Sequence, residues 1–175
     1  FAGGRPSSII IGDQLTPEAV ELGESLIVEG AKEYIIDDAE LQRVQDNYPV
    51  IWKNPDAKPK LCFVGCPHLS LQQLKDWTVK LEEELKKNGK KKVVIDTVFT
   101  AAPKVLKAFE KTEYADRLKK TGVITSYICP LMYMNNPLCK KMPVITSSNK
   151  LRTYTSSRYY RDEEILQAIT GGKKA

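Results

Sequence analysis

Apolar residues fall in two rhythms along this chain. Short continuous runs alternate with longer stretches in which Leu, Val or Trp recurs every three or four positions. The sharpest example begins at residue 61, where Leu61, Cys62, Phe63 and Val64 form an unbroken apolar run closed by Gly65. That run reads as a buried strand. Leu71, Leu74, Trp77, Leu81 and Leu85 then recur at helical spacing, which makes them the core face of a helix. Ser70 with Gln73 three residues on fits a capping box at its start, and Asn88-Gly89 ends it. The same alternation continues towards the carboxyl end. Residues 93–95 predict a strand with Asp96, Thr97 and Thr100 at its carboxyl end, and Pro103 opens a helix carrying Val105, Leu106 and Phe109. A second helical piece is expected near 113–119, ended by Gly122, then a strand at 123–125 leading to Cys129. Residues 130–143 look irregular, 144–146 predict a strand, and Asp162 caps a last helix over 163–169 ended by Gly171-Gly172.

The first third is less regular. Residues 1–8 read as a loop, 9–11 as a short strand closed by Gly12, and Thr16-Pro17-Glu18 as a helix start. Residues 26–28 suit a short strand or a last helical turn, and 34–36 a strand. Asp37 and Asp38 cap an amphipathic helix running to about residue 47, with Leu41 and Val44 facing inward. Residues 48–60, with three prolines, form a connecting loop. Strands alternate with helices throughout. The expectation is one α/β domain over residues 1–175, three layers (α/β/α) around a mainly parallel sheet.

Composition narrows the function classes. With 42% hydrophobic and 28% charged residues in 175, the chain has the make-up of a globular domain with a substantial core. No apolar run approaches the ~20 residues of a membrane span, and the start, FAGGRPSS, has no signal-peptide pattern. A cytoplasmic setting is therefore expected. The first residue is not Met, which suggests a processed chain or a piece of a larger one. The net charge of +5 sits largely in residues 86–92 and at Lys173 and Lys174. The first cluster complements the negative pole of a helix end, and no aromatic interleaves with it, so neither nucleic acid nor a membrane is expected as a partner.

The candidate chemistry lies at three strand ends: Gly65-Cys66-Pro67-His68, Ile128-Cys129-Pro130, and Thr146-Ser147-Ser148-Asn149-Lys150. Right-handed crossovers put the carboxyl ends of parallel strands on one edge, so all three should face one cleft. Two thiols, the chain's single imidazole, hydroxyls and a lysine suit iron and a small anionic substrate. The four cysteines form no CxxC pair, which excludes a zinc ribbon, and a disulfide framework is not expected at this length without a secretion signal. Cys62, inside the apolar run, and Cys139 read as inert packing, and Ser70 as a helix cap before it is a substrate contact. Arg152, Tyr154 and Arg158 read as surface residues. A redox pair of Cys62 and Cys66 is disfavoured, because both lie on one strand and its end. The alternative to an enzyme is a non-catalytic α/β module that binds a small anion or a partner protein.

The run VGCPHLSLQQL, a cysteine about sixty residues on, and the segment TSSNKLRTY together resemble the carboxyl-terminal part of the aconitase X catalytic large subunit. The resemblance implies an aconitase-like α/β/α fold and an iron-dependent hydro-lyase. The family includes dehydratases of cis-3-hydroxy-L-proline and of phosphomevalonate. Carried over by position, it makes Cys66 and Cys129 ligands of an iron–sulfur cluster or a mononuclear iron, with a third cysteine outside this chain. His68 and Lys150 become catalytic candidates, and Ser70, Ser147 and Ser148 substrate contacts. The catalytic base is expected on a separate small swivelling subunit or domain, so this chain alone should be inactive. The residues before Cys129 (TSYI) lack the acidic residue that the family pattern carries there.

Overall fold

The computed structural model describes residues 12–172, so the strand expected at 9–11 and the two lysines of the tail lie outside the described residues. The chain divides into two compact units, residues 1–48 and 49–175.

The described part of the first unit holds two short helices and little core. Helix α1 (Pro17–Leu22) has Thr16 at its N-cap and proline at its first position, and a 3₁₀ turn follows at Gly23–Leu26. Helix α2 (Asp38–Asp46) is capped by Asp37, whose carboxylate accepts the Glu40 N–H at 2.8 Å. The strand expected at 34–36 is absent, and Ile35 is 71% exposed. β-branched residues favour a strand only where a neighbour satisfies the backbone, and none pairs with this segment among the described residues. Leu41 and Val44 do not point inward; they are 48% and 38% exposed.

The second unit carries the sheet. Strands β1 (Leu61–Leu69), β2 (Asp96–Ala101), β3 (Ile124–Ser126), β4 (Val144–Thr146) and β5 (Arg158–Tyr159) lie in the order β3-β2-β1-β4-β5, every pair parallel. The expected α/β class with a parallel sheet holds. The chain builds outward from β1 in one direction, returns, and builds in the other, so the strand order reverses between β1 and β4. Such a reversal opens a crevice at the carboxyl ends of the two strands.

Helices cover both faces. Helices α3 (Leu71–Lys87), α4 (Pro103–Phe109), α5 (Glu113–Lys120) and α9 (Asp162–Thr170) belong to one side. Leu74, Trp77, Leu81 and Leu85 of α3 are buried there with Phe99, Leu118, Ile165 and Ile169. On the other side α6 (Pro130–Met134), α7 (Pro137–Lys140) and α8 (Asn149–Tyr154) cover Leu61, Phe63, Val98 and Val144. Phe63 stacks on Tyr133 with ring centroids 5.3 Å apart. Burial of β1 on both faces explains its unbroken apolar run.

Several elements of this unit depart from the sequence reading. The second strand starts at Asp96 rather than covering 93–95, because the Val93 N–H is taken by Thr121 O (2.9 Å) and the Val94 N–H by Ile169 O (2.8 Å). Thr97 and Thr100 thereby become buried strand residues. Residues 130–143 are not irregular. Pro130 and Pro137 each open a short helix, as proline's fixed φ allows at a first position. Asp162 is the first residue of α9 and not its cap; the cap is Arg161, whose N–H is accepted by the Glu164 carboxylate at 2.8 Å.

Candidate functional site

Gly65 sets the shape of the site. Its φ is +109°, a region L side chains rarely adopt. A Cβ there would stand 2.3 Å from the Thr100 carbonyl oxygen. Thr100 Oγ1 donates to Gly65 O at 2.5 Å, locking the turn to β2. Register slips between Val64 and Leu69, where the turn bulges away from β2, and the Cys66-Pro67 peptide is cis. The bulge turns Cys66, Pro67 and His68 outward at the carboxyl end of β1, Cys66 half-buried and His68 exposed.

Helix α3 begins immediately after. The Ser70 hydroxyl accepts the Gln73 N–H at 3.1 Å, and the Gln73 side chain accepts the Ser70 N–H at 2.8 Å, which completes the expected capping box. At the end of β4, Ser148 caps α8 by accepting the Leu151 N–H at 3.0 Å, while its own N–H donates to Thr146 Oγ1 at 3.2 Å. Both serines are engaged by backbone. Ser147 carries no such duty in the described network and is half-buried.

These turns enclose a cavity of about 210 Å³ at the reversal of strand order, and its walls include Gly65, Cys66, His68, Ser147, Ser148 and Asp162. Two of the three expected strand ends therefore meet. The third does not reach them: Cys129 caps α6, three residues beyond β3, and is outside the cavity lining. Lys150 is exposed in the first turn of α8, and Ser70 is exposed; neither lines the cavity. Sequence reasoning missed Asp162 as a wall of the site. Its signal was its position just past the last strand, on the edge where such walls gather.

The thiols differ sharply. Cys62 is wholly buried, and burial, with a smaller contribution from the Asp162 charge, pushes its thiol well above the usual range. It is inert packing, as its place in the apolar run suggests. All four cysteines are free, and Cys139 is half-buried against the α6 side of the core. Among the described residues, no three His, Cys, Asp or Glu side chains gather as a metal centre would need. Cys66 is the one thiol in the cavity, so the residues described here do not by themselves hold a cluster or a mononuclear iron.

A family model described as "Aconitase X third domain" matches residues 59–167. The chain belongs to the aconitase X family. The match spans the sheet, both of its helical layers and the cavity, and leaves residues 12–48 outside. Among solved structures, the chain is similar to the crystal structure of Thermococcus kodakaraensis aconitase X in its holo-form. The TM-score is 0.56 at 20% identity, over 81% of this chain and 36% of that one. The likeness shows the aconitase X fold, and this chain spans about a third of that relative's length. No curated protein matches. Among the described residues, no helix is long and apolar enough to cross a membrane.

Proposed function

We propose that this chain supplies one wall of the active site of an aconitase-X-type hydro-lyase, an enzyme that removes water from a hydroxy-carboxylate. The observation that carries this reading is the convergence of Cys66, His68 and Ser147 on one cavity at the strand-order reversal. That is the position at which open α/β sheets bind their ligands. Family membership over residues 59–167 supports the reaction class.

Dehydration breaks a C–H bond and a C–O bond, so it needs a base for the proton and an acid for the departing hydroxide. His68 lines the cavity and is the chain's only histidine. It is assigned to the leaving hydroxyl. The amino end of α3 opens towards this edge and favours a carboxylate or phosphate. The Ser147 hydroxyl adds a donor, and Lys150, in the first turn of α8, is a cation available to an anionic group that extends beyond the cavity. The base comes from outside this chain, on a small swivelling subunit or domain, and Cys66 would be one ligand of an iron centre whose remaining thiolates include a third cysteine outside this chain. Phosphomevalonate and cis-3-hydroxy-L-proline are the substrates to try first.

The test is a dehydration assay on the enzyme assembled from this chain, its remaining domains and the small subunit, with and without iron and sulfide. His68→Ala should lower turnover by roughly 100- to 10,000-fold, the scale of lost acid catalysis, and Cys66→Ser should lower it as well. Full activity in both variants would overturn the assignment. Anion binding without turnover in the assembled wild-type enzyme would favour the non-catalytic module instead.

A further inference from the structure

A second and larger cavity lies at the opposite edge of the sheet. Its walls come from the segments that lead into β1 (residues 51–57), into β4 (140–143) and into β5 (Ser156), and it measures about 700 Å³. In a parallel sheet these segments share the amino edge, so this cavity is separate from the one beside Cys66. Its volume lies in the range of ligand pockets, roughly 300–1,000 Å³.

The walls are tied together across the chain. Trp52 is 8% exposed, and its indole N–H donates to Ser156 O at 2.8 Å. Ser156 Oγ donates to Lys140 O at 3.0 Å, and the Lys60 N–H to Pro143 O at 2.9 Å. Arg158 donates to Pro55 O at 3.2 Å with its guanidinium 5.7 Å from the Trp52 ring centroid. Segments about a hundred residues apart are thus fixed against one another, and the cavity is preformed.

Its chemistry is one-sided. Ile51, Trp52, Ala57, Met142 and Pro143 give an apolar lining, and Ile51 is 61% exposed. Lys53, Lys140 and Lys141 also line it, and among the described residues no carboxylate does. Three lysines in one lining without an acidic partner leave uncompensated positive charge beside apolar surface. Carboxylates are plentiful elsewhere in the chain, with 22 Asp and Glu in total. We infer that this amino-edge cavity binds a small organic anion, its apolar body against Ile51, Trp52 and Met142 and its carboxylate or phosphate met by Lys53, Lys140 and Lys141. The site is independent of the reaction assigned to the other edge.

The chain has two tryptophans, so a Trp77→Phe variant makes Trp52 the sole indole reporter. Its fluorescence is titrated with 1-naphthoate, 1-naphthyl phosphate and neutral 1-naphthol. The anions should bind at least 10-fold more tightly than naphthol. The triple variant K53Q/K140Q/K141Q should lose that preference while keeping its thermal midpoint, and His68→Ala should bind as before. Preference for the phosphate over the carboxylate, or the reverse, identifies the anion class. Equal binding of naphthol, anion binding that survives the triple variant, or no binding at millimolar concentration would overturn the inference. Should Trp77→Phe fail to fold, calorimetric titration of the unmodified protein with the same three probes reads the same outcomes.

Discussion

At the carboxyl edge of the sheet, a cavity of about 210 Å³ is walled by a thiol, an imidazole, hydroxyls and a carboxylate. At the amino edge, one of about 700 Å³ sits between a buried indole and three lysines. Both edges are cut from the same strands. The carboxyl edge is where helices begin, so backbone N–H groups and short polar caps gather there and side chains can be held in fixed turns. The amino edge is where loops arrive, so its walls rest on long-range side-chain contacts such as Trp52 to Ser156. A reactive site needs the first kind of support, and a site that only recognises shape and charge can use the second.

That contrast can be broken one edge at a time. The largest effect is expected from Trp52→Ala, which removes a buried aromatic and its hydrogen bond. It should cost about 3–5 kcal/mol in urea unfolding. The rate at which a thiol reagent labels Cys66, read by mass spectrometry, should stay unchanged under native conditions. A linked change in that rate would show that the two edges are not independent. Gly65→Ala attacks the other edge. It places a methyl group against the Thr100 carbonyl at a positive φ and should cost about 2–4 kcal/mol. Naphthyl phosphate should still bind the amino-edge cavity of the folded fraction. Wild-type stability in Gly65→Ala would mean that the turn is not held as described.

The smallest effect is a pH dependence in the framework common to both edges. The Gln167 side chain on α9 donates to Glu84 of α3 at 2.6 Å, and Lys87 donates to it at 3.1 Å. These bonds, Gln167 first, pull the Glu84 carboxyl below its ordinary value of 4.5. The folded state then binds the proton more weakly than the unfolded state. The contribution is fully present above pH 4.5 and is lost as pH falls through the lowered value. Thermal midpoints should drop more steeply on acidification in the wild type than in Gln167→Ala. Equal slopes would remove the α3–α9 contact from the account of acid stability.

Much of the framework was legible because its signals are local. The capping box of Ser70 and Gln73, the apolar stripe of α3, and the β4 strand appear where the pattern puts them. The errors have a common cause. Residues 34–36 look like a strand but find no neighbour, and residues 93–95 look like one but spend donors on Thr121 and Ile169. Strand propensity states what a segment tolerates, while pairing decides whether it is used. The motif around Cys66 was readable, and its partners only in part. Ser147 and Ser148 join it, whereas Cys129 and Lys150 lie beyond the lining and Asp162 joins unannounced.

The chain by itself determined its α/β class, its family and the strand–turn–helix that presents Cys66 and His68, since each is written in neighbouring residues. Only the tertiary structure decided which strand ends meet. The strand order reverses between β1 and β4, so the turn after β4 faces the turn after β1, while β3 lies two strands away at the edge. That order is fixed by how the two apolar faces of the sheet are covered. No single segment carries it, and for that reason the amino-edge cavity, built from residues about a hundred positions apart, has no signature in the sequence.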